Sequence, residues 1–107
     1  MEADGNMEPF DSAISTSDVV MLLRIQHERH ADKLRMTREE YHARFGMTLD
    51  RVRTMKRGAI LMHPAPFNRG VEIADEAVEC GCSRIFKQVE NGMFLRMAAL
   101  DWVTRDA

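Results

Sequence analysis

The chain has 107 residues, 45% of them hydrophobic and 30% charged, which fits a single small globular unit. Its 15 basic and 17 acidic side chains leave a net charge of -2, so no basic excess points to nucleic acid. No apolar run approaches the roughly 18 residues of a membrane span, and the acidic opening Met1-Glu2-Ala3-Asp4-Gly5 lacks the basic and apolar parts of a secretory signal.

Residues 1–8 are polar, with Gly5 and Asn6, and read as a flexible start. Residues 8–14 form a short helix with Pro9 in its first turn, and Ser15-Thr16-Ser17-Asp18 breaks it. Val19-Val20-Met21-Leu22-Leu23 is short, apolar and rich in β-branched residues, the pattern of a strand buried on both faces. At its carboxyl end Arg24 and Gln26 lie two apart, so on extended chain they point the same way. A guanidinium fork beside an amide suits a carboxylate, and an ion pair of Arg24 with Glu28 is the competing reading. Residues 27–36 are charged, mixed in sign and expected to be mobile. His27 and His30 could share a helical face as metal ligands, but no third ligand accompanies them and no metal is expected.

Thr37 caps a helix through Phe45, and Glu40, three residues on, completes a capping box. Tyr41 and Phe45 form its buried stripe and Gly46 ends it. Thr48 caps a second helix over residues 49–55, with Lys56 and Arg57 in its last turn and Gly58 closing it. Residues 59–62 then make a strand, so the order strand, helical crossover, strand predicts a parallel βαβ unit. That strand stops at His63-Pro64-Ala65-Pro66. Both prolines lack the N–H that a ladder needs, and each pushes its predecessor away from helix, so a stiff loop follows. Ligands of open α/β sheets gather at such strand ends. The residues alone leave a second reading open, a strand terminator that binds nothing.

Asn68-Arg69-Gly70 signals a turn, and residues 72–79 one or two helical turns. Cys80 and Cys82 are too few for a zinc site and too close for an ordinary disulfide, so they read as reduced thiols. Residues 85–89 suit strand or helix, and Gly92 weakens a continuous helix. From Met93 to Val103 the pattern is helical, with Met93, Met97 and Leu100 on one stripe and Trp102 and Val103 widening it. So wide an apolar face must pack on something. The chain shows no Gly-rich phosphate loop, Ser-His-Asp set or pair of carboxylates for acid/base work, and no catalytic residue is certain in it.

Three blocks resemble one family in the same order. Ser17-Asp18-Val19-Val20-Met21-Leu22-Leu23-Arg24-Ile25-Gln26, with Glu28-Arg29-His30, is similar to the aspartate-domain segment of aspartate carbamoyltransferases. Residues 59–73, AILMHPAPFNRGVEI, resemble their substrate-closing loop, and residues 84–100, RIFKQVENGMFLRMAAL, the end of their catalytic chain. Ornithine carbamoyltransferases, the sister family, typically carry His-Cys-Leu-Pro where this chain has His63-Pro64-Ala65-Pro66. The matching blocks cover the last third of such an enzyme, and the phosphate-gripping Ser-Thr-Arg-Thr motif is not among them. The expectation is therefore a fragment, starting at an internal methionine and inactive alone.

The resemblance implies an α/β fold with a partial Rossmann-like parallel sheet, the C-terminal part of an aspartate-binding domain. It divides the chain into a flexible start (1–8), a partial aspartate/ornithine-binding domain (9–83) and a C-terminal helical segment (84–107) that returns to pack on the carbamoyl phosphate domain. It implies that Arg24 and Gln26 bind L-aspartate, that Pro64, Ala65 and Pro66 line the carbamoyl phosphate site, and that the carbonyls of Pro64 and Ala65 accept from the carbamoyl amino group. A cis peptide is expected at Ala65-Pro66, and residues 27–36 would close over substrates. Implied too are carbamoyl transfer to aspartate in pyrimidine biosynthesis, no cofactor, a cytoplasmic homotrimer and room for regulatory or pathway-partner chains. The alternative from another class is a non-catalytic interaction module that associates through its C-terminal helix.

Overall fold

The computed structural model describes residues 8–25 and 36–105. Gln26, the segment 27–35 and the first seven residues lie outside the described residues, and with them the expectations for a closing loop and a flexible start.

Helix α1 (Phe10–Thr16) begins after Pro9, which occupies the N-cap rather than the first turn. It also runs beyond Ile14. The hydroxyls of Ser15 and Thr16 donate to the Ser12 carbonyl at 2.8 and 3.1 Å, and Ser17 donates to that of Ala13 at 2.7 Å. These short side chains satisfy the helix end instead of breaking it. Strand β1 (Val19–Met21) follows and pairs in parallel with β2 (Ile60–Met62), with Val20 opposite Leu61. The Leu22 N–H extends this pairing by donating to the Met62 carbonyl at 2.9 Å. Burial of β1 on both faces is not observed: Val19 is 48% and Met21 51% exposed. These two residues share one face of the strand, and no element among the described residues covers it.

The crossover between the strands is the expected pair of helices. In α2 (Arg38–Phe45) the Glu40 N–H donates to Thr37 Oγ1 at 3.1 Å, and the Thr37 N–H donates to Glu40 Oε2 at 3.0 Å. Both halves of the capping box are therefore present. Tyr41 and Phe45 are half-buried, and the Phe45 ring meets Phe10 edge-on with centroids 6.0 Å apart. Helix α3 (Leu49–Thr54) is capped by Thr48 and stops one residue before Met55. Lys56 and Arg57 thus fall beyond its last turn, and Lys56 instead pairs with Asp18 at 2.6 Å. Gly58, at φ 83, makes the left-handed turn into β2.

On its other side β2 exchanges hydrogen bonds with the chain near Ser83: the Leu61 N–H donates to the Cys82 carbonyl at 3.0 Å and the Arg84 N–H to the Leu61 carbonyl at 2.8 Å. Helix α4 (Asp75–Val78) is shorter than expected because Ile73 pairs with Met47 in extended conformation. Ile14, Leu22, Met47, Leu61, Ile73, Ala74, Ala77, Val78 and Ile85 form the core between sheet and helices.

Helix α5 (Ile85–Thr104) is continuous through Gly92, with 20 residues. Propensity loses here to length, since one glycine costs only about 1 kcal/mol in a helix interior. Of its residues only Ile85 is buried. Met93, Met97 and Leu100 share one stripe, but Leu95 and Trp102, 72% and 79% exposed, project from the opposite side. The helix is apolar on more than one face. No helix among the described residues is long and apolar enough to cross a membrane.

Candidate functional site

The parallel pairing brings the carboxyl ends of β1 and β2 to the same edge, one continuing into Arg24, the other into His63-Pro64-Ala65-Pro66. The Asn68 side-chain amide locks the two ends together by donating to the Ile25 carbonyl at 2.9 Å. Arg24 is exposed beside that junction. Gln26 lies outside the described residues, so the structure places only one member of the proposed carboxylate clamp.

The proline loop has an unusual backbone. The Ala65-Pro66 peptide is cis, as the resemblance implied, and Ala65 adopts φ 56. That left-handed conformation costs an alanine roughly 1–2 kcal/mol, so the surroundings must hold it. His63 does so from below. Its ring is fully buried, and its Nδ1 accepts the Ala65 N–H at 2.9 Å. With Nδ1 acting as acceptor, the ring proton resides on Nε2, which donates to Glu72 Oε1 at 3.1 Å. The same oxygen accepts the Asn68 N–H at 2.8 Å. The His63 N–H itself donates to Gln88 Oε1 of α5 at 3.0 Å, and Phe67 packs edge-on against the imidazole with centroids 5.6 Å apart. Above this support Pro64 and Pro66 are exposed and Ala65 is half-buried. Among the described residues neither the Pro64 nor the Ala65 carbonyl receives a hydrogen bond. The loop therefore presents two acceptors held in place and unused by the described residues.

Glu72 is 2% exposed, and its Oε2 is buried without a hydrogen-bond partner among the described residues. Such an orphan costs about 1–3 kcal/mol. Its charge is felt by Tyr41, whose phenol is pushed above its usual range first by burial and then by the Glu72 carboxylate. The sequence reading missed His63 and Glu72 as a unit. A signal was present: Val71-Glu72-Ile73 places an acid between two apolar residues, and all three are buried.

Pro64 also forms one wall of an open groove of about 760 Å³, whose opposite wall is α5 around Gln88, Val89, Gly92 and Leu95. The cysteines lie behind β2 as free thiols with Sγ atoms 3.3 Å apart. Burial, then the hydrogen bond with Cys80, raises the Cys82 thiol to about 11. It is a poor nucleophile at neutral pH.

The fold is that of a mixed α/β domain with a proline loop at the carboxyl ends of its parallel strands, where ligands of open α/β sheets gather. Residues 3–103 match the family model described as "Aspartate/ornithine carbamoyltransferase, Asp/Orn binding domain". The chain belongs to the aspartate/ornithine carbamoyltransferase family. Among solved structures it is similar to the aspartate transcarbamoylase of Trypanosoma cruzi in complex with carbamoyl phosphate, with 32% identity and a TM-score of 0.72 over 84% of this chain. The same enzyme in complex with N-(phosphonacetyl)-L-aspartic acid gives 31% identity and a TM-score of 0.71, again over 84% of this chain. This chain spans 27% of the length of those two. The ornithine carbamoyltransferase of Pyrococcus furiosus, at 22% identity and a TM-score of 0.72, matches 89% of this chain and 30% of its own. That likeness is one of fold.

Proposed function

We infer that the chain supplies the amino-acid-binding side of an aspartate carbamoyltransferase, transferring the carbamoyl group of carbamoyl phosphate to L-aspartate. The observation that carries this reading is the pair of unused carbonyls at Pro64 and Ala65, held beside Arg24 at one edge of the sheet. Two backbone acceptors match the two N–H bonds of a carbamoyl amino group. Arg24, with its fork of donors, matches a carboxylate of aspartate, and Gln26 assists it. Pro66 completes the wall next to the carbamoyl phosphate. The neutral amine of aspartate attacks the carbamoyl carbon, a tetrahedral intermediate forms, and phosphate leaves. Positioning and stabilisation of developing charge do most of the work. The preference for aspartate over ornithine rests on Pro64-Ala65 in place of Cys-Leu, and on identities above 30% with aspartate enzymes.

Residues 9–83 form the partial aspartate/ornithine-binding domain in this reading, and residues 84–107 the segment that packs on a carbamoyl phosphate domain. The apolar faces of α5 support that division. They also favour the second reading, an interaction module that pairs through α5 without catalysis.

A chimera separates the readings: residues 8–105 replace the corresponding segment of the Trypanosoma cruzi enzyme. The expected result is carbamoylation of aspartate, with Arg24→Ala raising KM for aspartate far more than KM for carbamoyl phosphate. Preference for ornithine would overturn the substrate assignment. A folded chimera that transfers to neither acceptor would leave the interaction module as the better reading.

A further inference from the structure

We propose that His63 and Glu72 are positioning residues that set the aim of the Pro64 and Ala65 carbonyls through one chain of hydrogen bonds; the ligand-binding part of this inference rests on the proposed function. The chain has a fixed direction. Ala65 N–H donates to His63 Nδ1, and His63 Nε2–H donates to Glu72 Oε1. Only the neutral imidazole with its proton on Nε2 satisfies both bonds. The Glu72 oxygen selects that tautomer, and the tautomer leaves Nδ1 free to hold Ala65 in its left-handed conformation. Glu72 Oε1 also takes the Asn68 N–H, and the Asn68 amide reaches the Ile25 carbonyl next to Arg24. One buried carboxylate oxygen thereby fixes both ends of the loop and couples it to the neighbouring strand. Glu72 Oε2 is buried without a partner among the described residues, a cost that apolar side chains of that size would avoid.

The test begins with the 107-residue chain. Long-range 1H–15N spectra of the His63 ring are expected to show the neutral Nε2–H form, and the Ala65 amide to exchange slowly. Glu72→Ala should speed that exchange about tenfold, the scale of one lost hydrogen bond. Glu72→Gln keeps an acceptor at Oε1 and should restore protection. His63→Asn, whose amide oxygen replaces Nδ1, should retain more protection than His63→Gln. A proton on Nδ1, or Ala65 exchange indifferent to Glu72→Ala and the same in both His63 variants, would overturn the proposal. The tautomer needs no variant, so a misfolded Glu72→Ala leaves the test intact.

In the chimera Glu72→Ala should raise KM for carbamoyl phosphate about tenfold while KM for aspartate changes little, with Glu72→Gln as the rescue. Equal changes in both constants would reduce the pair to a fold-stabilising role. If the ring and amide behave as described but the chimera prefers ornithine, the hydrogen-bond chain stands and the substrate assignment fails.

Discussion

Gly46 needs to lack a side chain. A Cβ there would meet the His42 imidazole and approach the His42 carbonyl oxygen to 2.5 Å. The ring could swing aside only by giving up its Nδ1–H bond to the Val71 carbonyl, 2.9 Å long, and the main-chain oxygen is held at the helix end by the Gly46 N–H at 2.9 Å. Gly46→Ala should therefore destabilise the chain by about 1–3 kcal/mol, as overpacking does, measured by urea unfolding. The sequence marked Gly46 as a helix terminator, and it does end α2. But its φ of -71 is not left-handed, so the need for glycine comes from the His42 side chain one turn back, whose placement is set by the distant Val71 carbonyl and could not be read locally. Cys82 makes a different prediction. Its thiol sits at about 11 instead of its ordinary 9.0. The folded state holds that proton more tightly than the unfolded chain, so its contribution is complete below pH 9 and declines as pH rises toward 11. Thermal melts over that range should lose stability with pH, and Cys82→Ser should flatten the slope.

Among the elements, the junction of α2 and α3 shows how one cation serves two helices. Arg51, in the last turn of α3, donates to the carbonyls of Ala43, Arg44 and Gly46 at 3.1, 3.0 and 2.7 Å. These are groups that the end of α2 leaves unsatisfied. Its Nε meets Asp11 at 2.7 Å and its side chain is only 17% exposed. The expected cost of Arg51→Ala is about 1.5–3 kcal/mol, the range for hydrogen bonds to a charged group, and Arg51→Lys should rescue little because an ammonium lacks the fork. Chemical denaturation of the three proteins checks this. Both Thr caps and the parallel βαβ order were legible from residue spacing alone, since they depend on neighbours along the chain. Arg51 was not, because its acceptors are set by how α2 and α3 turn against each other. At Gly92 a local rule was overruled by the helix on either side. A Cβ at that position meets nothing within 4 Å, so Gly92→Ala should stabilise by about 0.5–1 kcal/mol, read as a rise in melting temperature.

For the whole molecule, the unmatched surface is the main fact. The outer side of β1 and two faces of α5 remain apolar and exposed. The wide face of α5 was readable from its periodicity, whereas the bareness of β1 was not: a five-residue apolar run looks the same whether or not another layer packs on its face. Patches of this kind mark interaction surfaces. An apolar dye should bind the isolated chain strongly and lose most of that binding when the same segment sits in the chimera. At the site, the sequence showed the proline loop and Arg24 but not the imidazole and carboxylate that hold the loop, because residues 63 and 72 meet only after the chain turns back. The proposed function gives ligand contact there to main-chain oxygens, with consequences for how the gene can drift. On that reading the side chains at 64 and 65 need take no part in recognition, so a library scan should find position 65 tolerant of small residues and of glycine, and closed to β-branched ones by its φ of 56. Intolerance should concentrate at His63 and Glu72, both buried beneath the loop. In such a loop the visible surface is free to diverge, and inheritance is kept by the residues behind it.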